Sequence, residues 1–274
     1  MQRIFITGAS SGLGAALARH YAAQGAVMGL VARRQPLLEQ LAAQLPVQQP
    51  ASAQHSLYAL DVTDHAALAA AAVDFISVHG GIDIVIACAG ISSGTLTQHA
   101  EDLPVFERII ATNLLATVAT FAPFIDAMLS RPDRHQCRLV GIASVAGIRG
   151  LPGAEAYSAS KAAVISYCES LRVELRASGI RVVTIAPGYI DTPMTQINDY
   201  RMPFLMPADR FAQKAAAAIA AGESYRVLPW QMGVVAKLLR LLPNWLYDFA
   251  FSKAPYKTRA GTASADITDT TDKQ

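Results

Sequence analysis

The feature that most constrains the fold is a glycine-rich loop between the first apolar run and the first helical pattern. The run Arg3–Thr7 reads RIFIT and leads into TGASSGLG at Thr7–Gly14. Glycines here let the backbone turn tightly and approach a pyrophosphate, whose charge meets the free N–H groups at the start of a helix. The loop therefore predicts a dinucleotide site. The chain lacks the GxxxxGK[ST] pattern of a nucleoside-triphosphate loop.

Short apolar runs alternate with helical patterns along the chain. The runs have no polar face, which is typical of parallel strands covered by helices on both sides. The helices between them are long enough to be crossover connections. We predict a single-domain, Rossmann-like, doubly wound parallel α/β sheet of about seven strands with helices on both faces. The predicted strands are Arg3–Thr7, Val27–Ala32, Ser56–Asp61, Ile82–Cys88, Arg138–Ala143, Arg181–Ala186 and Tyr225–Leu228, and the main predicted helices are Gly14–Gln24, Asp64–His79, Phe106–Ser130 and Ala156–Ser178.

Composition argues against several classes of function. The net charge is +2, and no block of Lys or Arg favours a nucleic-acid partner. The three cysteines, Cys88, Cys137 and Cys168, have no C-x-x-C spacing. They predict small core residues in a reducing compartment rather than disulfides or a zinc site. The six histidines show no metal-ligand spacing. The start of the chain lacks the apolar segment of a signal peptide, so we expect a cytoplasmic protein.

The end of the second strand indicates which dinucleotide is bound. It reads VARRQ, and the first acidic residue of the chain is Glu39. An acidic residue at this strand end bonds the ribose 2′-OH of NAD, whereas arginine accommodates the 2′-phosphate of NADP. Arg33 and Arg34 therefore predict NADP(H), with NAD the less favoured cofactor. The alternative is that these two side chains form a solvated basic turn.

A tyrosine and a lysine one helical turn apart are candidates for acid–base chemistry. The stretch YSASK places Lys161 at i+4 from Tyr157, on the same helix face. A nearby ammonium favours the phenolate and lowers the tyrosine pKa from about 10. Proton transfer is most efficient when that pKa approaches the working pH. Alone the pair is a weak motif, because aromatic and basic residues also meet by chance.

These motifs together resemble the short-chain dehydrogenase/reductase family over about residues 2–230. The serine of the family after the fifth strand is matched by Ser144, thirteen positions before Tyr157, and its helix asparagine by Asn113. The resemblance implies a catalytic set of Asn113, Ser144, Tyr157 and Lys161. In that set Ser144 places the substrate oxygen, Lys161 also holds the nicotinamide ribose, and Asn113 holds a water for proton relay. The alternative for Asn113 is an ordinary polar residue.

The resemblance also implies the cofactor contacts. One departure is ACAG at Ala87–Gly90, where the family has N-N-A-G. The lost Asn side chains support backbone near the cofactor, so we expect an effect on local stability and none on activity. The implied cofactor-binding residues are Gly8, Ser10, Ser11, Gly12, Leu13, Gly14, Arg33, Arg34, Asp61, Val62, Ala89, Gly90, Tyr157, Lys161, Pro187, Gly188, Ile190 and Thr192.

Ligands of open α/β sheets bind beyond the carboxyl ends of the strands. That rim includes Ser92–Leu96, Ile148–Gly153 and Tyr189–Met206. The last segment is rich in Met, Phe and Leu, which predicts a lid over a hydrophobic small-molecule substrate. Arg149 and Arg201 are the candidates there for a phosphate or carboxylate clamp.

The segment Gln231–Phe251 is apolar but contains Lys237, Arg240 and Pro243, so we do not expect it to span a membrane. Two alternatives stay open. The segment packs on its own chain or a sister subunit, or it makes a peripheral membrane contact. We divide the chain into a catalytic domain at 1–230, a helical extension at 231–257 and a tail at 258–274 expected to be disordered.

The predicted function is that of an NADP(H)-dependent oxidoreductase interconverting a ketone or aldehyde and an alcohol, in a homodimer or homotetramer. One alternative is a nucleotide-sugar epimerase or dehydratase, whose usual T-G-x-x-G-x-x-G spacing and larger substrate domain are missing here. The other is a non-catalytic, NADP-binding regulatory or scaffold protein, which has no need of Tyr157.

Overall fold

The computed structural model describes residues 1–46, 54–198, 200–252, 254 and 256–259. Within these residues a seven-stranded parallel sheet has the strand order β3-β2-β1-β4-β5-β6-β9. The predicted doubly wound α/β fold is therefore confirmed. The strands of this sheet are β1 Arg3–Thr7, β2 Val27–Ala32, β3 Ser56–Ala59, β4 Ile84–Ala87, β5 Arg138–Ile142, β6 Arg181–Pro187 and β9 Tyr225–Leu228, and the short β7 Ile190–Asp191 and β8 Met206–Pro207 pair separately.

Helices cover both faces of the sheet, which explains why the strands have no polar side. Successive residues of β1 point to opposite faces, so Ile4 and Ile6 join one core cluster and Phe5 joins the other. All three side chains are fully buried. The helices are α1 Gly12–Ala23, α2 Gln35–Gln44, α3 His65–His79, α4 Leu103–Ile110, α5 Ala116–Leu129, α6 Glu155–Glu174, α7 Pro193–Gln196, α8 Ala208–Ala221, α9 Trp230–Leu241 and α10 Asn244–Phe251.

The predicted helix Phe106–Ser130 is interrupted. A π-helical turn at Ala111–Leu115 joins α4 to α5, so three consecutive segments replace one helix. The combined stretch Ala100–Leu129 is long and apolar enough to cross a membrane by length and composition. Its Phe121 and Phe124 side chains are fully buried against the sheet, as in the core helix of an α/β domain.

The sheet winds outward in both directions from the neighbouring strands β1 and β4. The chain leaves β1 toward β2 and β3, then returns to β4 on the other side of β1. The loops after β1 and β4 therefore diverge and leave a crevice at the carboxyl ends of the strands. This topology places the glycine loop beside the residues that follow β4, β5 and β6.

The C-terminal extension forms α9 and α10 and then returns to the body of the protein. The N–H of Gly94 donates to the carbonyl of Thr258 over 3.0 Å, and Gly94 also forms a parallel bridge with Arg259. The first two residues of the predicted tail are thus held in place, while 260–274 lie outside the described residues.

Candidate active site

The glycine loop forms the entrance to α1. Gly8 has a φ of +70°, and a Cβ at this position would lie 2.8 Å from the Cα of Ala89. A Cβ on Gly14 would lie 2.2 Å from the carbonyl oxygen of Gly8. Both positions thus exclude a side chain. The first turn of α1 carries no acidic residue, so its free N–H groups can receive an anion.

A cavity of about 290 Å³ opens over this loop at the carboxyl ends of the strands. Every cofactor-binding residue predicted from the sequence lies on its wall. Further lining residues that the motifs did not indicate are Ala32, Leu60, Cys88, Ile91, Thr112, Ile142, Ala143, Pro193, Met194 and Thr195.

The two arginines after β2 lie at one end of this cavity with their charges largely exposed. Arg34 Nη2 is 3.5 Å from Ser11 Oγ, and Arg33 Nη1 is 3.8 Å from Asp61 Oδ2. Hydrogen bonds from Thr63, with a smaller contribution from Arg33, hold the pKa of Asp61 below its usual value. The arginines contribute positive charge beside the glycine loop, where a cofactor 2′-phosphate would lie.

Tyr157 lies on the wall shared by the first cavity and a second one. Ser144 lines the second cavity with it, and the Ser144 hydroxyl acts to lower the Tyr157 pKa. Ser144 precedes a short 3₁₀ turn after β5, and its Oγ accepts from the N–H of Ala146 over 3.2 Å and donates to the carbonyl of Pro187 over 3.5 Å. The structure therefore brings Tyr157 and Ser144 together as predicted.

The pKa of Tyr157 differs from the prediction. Burial raises it in the chain alone, and the hydrogen bond from Ser144 only partly offsets the increase. Lys161 Nζ lies 5.9 Å from the ring centroid of Tyr157 and donates to the carbonyl of Ile142 over 2.8 Å. Burial also lowers the pKa of Lys161 to about 8. For both groups the largest influence on the pKa is thus their removal from water.

Asn113 lies behind the cavity wall in the π-helical turn and is fully buried. Its Oδ1 accepts from the N–H of Ile91 over 2.8 Å, and its Nδ2 donates to Ile91 O and Ser160 Oγ. Asn113 thus fixes the chain after β4 to α6, the helix of Tyr157 and Lys161. π-Helical turns occur frequently at functional sites. A water held by Asn113 stays a prediction.

The departure at Ala87–Gly90 has a local explanation. Thr7 Oγ1 accepts from the N–H groups of Cys88 and Ala89 over 3.1 and 3.3 Å, so a side chain of β1 supports this backbone. Cys137 and Cys168 are buried as predicted, whereas Cys88 is partly exposed and lines the first cavity. Burial raises the Cys88 pKa to about 12, so its thiol stays neutral.

The second cavity has a volume of about 390 Å³ and lies beyond Tyr157 and Ser144. All three predicted rim segments and the C-terminal extension contribute to its wall. Arg149 is not part of its wall, because its guanidinium stacks 3.9 Å from the ring centroid of Tyr247 and donates to the carbonyl of Leu242. Its lining residues are Ser92, Ser144, Val145, Ala146, Leu151, Pro152, Ala154, Tyr157, Gly188, Tyr189, Met194, Thr195, Asn198, Tyr200, Arg201, Phe251, Ala254 and Lys257.

Lys257 is the charged lining residue that sequence reasoning missed. It lies in a short polar segment without helical or strand periodicity, and its contacts are with residues far away in sequence. No local pattern points to it. Among the residues that the structure describes, no group of three or more His, Cys, Asp or Glu could hold a metal ion.

Comparisons with known proteins support the fold and identify the family. The sequence profile described as short chain dehydrogenase matches residues 2–201. An uncharacterized oxidoreductase of Myxococcus xanthus is 38% identical over 248 residues, covering 89% of this chain and 94% of that protein. A 2-dehydro-3-deoxy-L-rhamnonate dehydrogenase (NAD(+)) of Sphingomonas is 36% identical over 189 residues, covering 69% of this chain and 72% of that protein. The crystal structure of levodione reductase superimposes with a TM-score of 0.73 at 26% identity, covering 83% of this chain and 95% of that one.

Proposed function

The chain belongs to the short-chain dehydrogenase family, and we propose that it is an NADP(H)-dependent oxidoreductase that interconverts a carbonyl group and an alcohol. One observation carries this proposal. The phenol of Tyr157 lies on the wall shared by a cavity built for a dinucleotide and a cavity large enough for a small molecule. A substrate in the second cavity would meet a cofactor in the first at this side chain.

The residues on the wall fit the chemistry of carbonyl reduction. A nicotinamide bound in the first cavity would supply the hydride. Ser144 donates a hydrogen bond to the substrate oxygen, and Tyr157 gives that oxygen its phenolic proton as the carbonyl carbon is reduced. Because burial raises the pKa of Tyr157, the phenol is protonated at neutral pH and ready to donate.

Lys161 has two roles in this proposal. From the wall of the first cavity it stabilises the phenolate left after proton transfer, and it binds the ribose hydroxyls of the nicotinamide half of the cofactor. A positively charged oxidised cofactor would add to the stabilisation of the phenolate. The reverse reaction, in which Tyr157 removes the alcohol proton, follows the same path.

The choice of NADP(H) rests on Arg33 and Arg34 and on the lack of an acidic residue at the end of β2. The name of one relative includes NAD(+), so membership of the family does not by itself select NADP(H). The local charge supports NADP(H) here, because a 2′-phosphate would meet two guanidinium groups and Asp61 is already near Arg33.

The direct test is to follow NADPH and NADH absorbance with the purified chain and a panel of ketones, aldehydes and alcohols. Turnover that requires NADPH supports the proposal. Tight NADPH binding without turnover of any compound would favour the regulatory or scaffold alternative, and isomerisation of a nucleotide sugar without net NADPH consumption would favour the epimerase.

We also propose that α9 and α10 attach the protein to an anionic lipid surface. Trp230, Val234, Leu238 and Leu241 follow one another at helical spacing and are exposed, with Leu241 exposing 80% of its surface. The exposed residues of α10 include Trp245 and Phe249. Packing on the chain itself thus accounts only for the inner faces of the two helices.

The charge beside this surface favours a lipid partner over a second copy of the chain. Lys237 and Arg240 are exposed on α9, and Asp248 is the acidic residue on α10. Cations next to exposed Trp, Phe and Leu are typical of helices that lie in the headgroup region of anionic membranes. In this proposal a cytoplasmic protein contacts the membrane peripherally through helices whose last residue, Phe251, lines its second cavity.

A further inference from the structure

The second cavity contains a lysine that pairs with no acidic residue among those the structure describes. Lys257 Nζ lies 5.9 Å from the ring centroid of Tyr157 and donates to Ser92 Oγ over 2.8 Å. Within the described part of the chain, no carboxylate forms an ion pair with this ammonium, and burial lowers its pKa. A half-buried cation bonded to one neutral hydroxyl has lost water without gaining a countercharge.

The wall of this cavity favours an anion. Its described lining includes two cationic side chains, Lys257 and Arg201, and no Asp or Glu. Most of the remaining wall is apolar, with Leu151, Met194 and Phe251 among its members. A ligand with one negative group and a hydrophobic remainder matches this distribution.

The segment that carries Lys257 is fixed to the body of the protein. We call residues 256–259 the strap. On its carboxyl side, Arg259 Nε and Nη2 donate to the two carboxylate oxygens of Asp102 over 2.8 and 3.0 Å. A Cβ on Gly94 would lie 2.0 Å from the carbonyl oxygen of Lys257, so the strap lies directly on the backbone of Gly94. These contacts hold Lys257 in one place, as recognition requires.

We propose that Lys257 binds a carboxylate of the substrate, so that the protein reduces oxo acids, or oxidises the corresponding hydroxy acids, that have an apolar remainder. This inference rests on the proposed oxidoreductase function. A carboxylate on Lys257 and a carbonyl oxygen at Ser144 and Tyr157 fix the substrate at two points. The reacting carbon is thereby oriented toward the cofactor-sized cavity. In the purely structural alternative, Lys257 only fastens the strap to Ser92.

The test compares acids with their ethyl esters, which keep the carbonyl and lose the charge. Benzoylformate and levulinate, each with its ethyl ester, are assayed with NADPH and the full chain. The variants are Lys257→Met, Lys257→Arg and the matched control Lys214→Met, an exposed lysine of α8 outside both cavities. For at least one pair, Lys257→Met should lower the acid-to-ester ratio of kcat/KM by about tenfold or more, chiefly through KM for the acid.

Lys257→Arg should largely keep the ratio, and Lys214→Met should not change it. An equal loss of kcat/KM on acid and ester would show a structural role and overturn the proposal, as would an unchanged ratio.

If none of the four compounds is reduced, the oxidoreductase proposal loses support. A binding measurement then tests the role of Lys257 independently of turnover. The probe is benzoylformate, titrated against NADPH fluorescence in the Tyr157→Phe chain. Adding Lys257→Met to this chain should weaken benzoylformate binding by about tenfold, which would support the anion site. Equal affinity with and without Lys257→Met, or no detectable binding in either protein, would refute it.

Discussion

The ammonium of Lys161 lies 5.9 Å from the centroid of the Tyr157 ring, one helical turn along α6. Lys161 donates to Ile142 O, so a bond within the chain holds the ammonium beside the ring. In the proposed mechanism the phenol of Tyr157 supplies the proton that the substrate oxygen receives. Removing its hydroxyl should leave the first cavity unchanged.

We expect Tyr157→Phe to lower kcat by about 10²–10⁴-fold, the usual contribution of a positioned general acid. The Kd for NADPH, measured by fluorescence, should stay within about twofold, because a single hydroxyl is lost at the cavity wall. The control is Tyr167→Phe on the same helix, outside both cavities. Substantial turnover by Tyr157→Phe would refute the acid–base role.

The buried ammonium of Lys161 should make stability depend on pH. Burial lowers its pKa from 10.5 to about 8, so between these values the unfolded chain binds the proton and the folded chain does not. The free energy of unfolding therefore rises with pH across that window, and the full penalty is present below about pH 8.

We expect the unfolding free energy of the wild type minus that of Lys161→Met to rise by about 2 kcal/mol from about pH 7.5 to about pH 9.5, because only the wild type has this titrating group. Urea denaturation at the two pH values measures it. The difference between wild type and Lys214→Met, which alters an exposed lysine, should stay constant. A constant difference for Lys161→Met as well would mean that Lys161 titrates normally in the folded protein.

The local sequence determines most of the fold and the cofactor-sized cavity. Strands β1 and β2 begin and end where their apolar runs predict, because helices bury both faces of these strands and an uninterrupted apolar run marks them in the sequence. The glycine loop is similarly local, since Gly8 and Gly14 exclude side chains through contacts that any chain with this turn would make. These features were therefore predictable.

Two properties of the site depend on distant contacts and were not predictable. The second half of the strap, Thr258 and Arg259, belongs to the tail expected to be disordered, yet Arg259 pairs with Asp102 across 157 positions of sequence. The pKa of Tyr157 reflects how completely its surroundings exclude water, which the spacing of YSASK does not encode. The sequence likewise does not reveal that Arg149, a predicted clamp residue, stacks on Tyr247 of α10.

A single substitution at Arg33 should shift the cofactor preference. We expect Arg33→Asp to shift the NADP-to-NAD ratio of kcat/KM by at least about tenfold toward NAD, because the carboxylate repels a 2′-phosphate and accepts from a free 2′-OH. Arg210→Asp, an equal charge change on α8 outside both cavities, is the control. An unchanged ratio would mean that Arg33 is a solvated residue of a basic turn.

Attachment to membranes should depend on the exposed faces of α9 and α10. In cosedimentation, the wild type should bind vesicles that contain phosphatidylserine better than vesicles of phosphatidylcholine alone. Replacing Trp245 and Phe249 by Ala should weaken this binding, and Val73→Ala, an exposed apolar residue of α3, should not. Substitution is preferable to truncation, which would also remove the strap. The opposite result would be a wild type that binds no vesicles and forms dimers, together with a double variant that is monomeric. That result would identify a sister subunit as the partner of α9 and α10.

The strap offers a test of how Lys257 is held. A Cβ on Gly94 would overlap the carbonyl oxygen of Lys257 at 2.0 Å, so Gly94→Ala must displace this part of the strap. Trypsin cleaves after lysine, and the bond between Lys257 and Thr258 is protected while Gly94 N–H donates to Thr258 O. We expect Gly94→Ala to speed cleavage there by at least about tenfold, because proteolysis follows the population of the open state.

The matched control is Gly150→Ala, whose Cβ would meet no atom within 4 Å. Cleavage after Lys214 in the middle of α8 reports global unfolding, and intact mass spectrometry separates the two sites. Equal cleavage after Lys257 in both glycine variants would show that the strap is not held by Gly94. If the strap positions Lys257, then Gly94→Ala should also lower the acid-to-ester ratio of kcat/KM in the same direction as Lys257→Met, although the lysine itself is intact. Protease sensitivity and substrate preference would then change together, since both depend on the same contact.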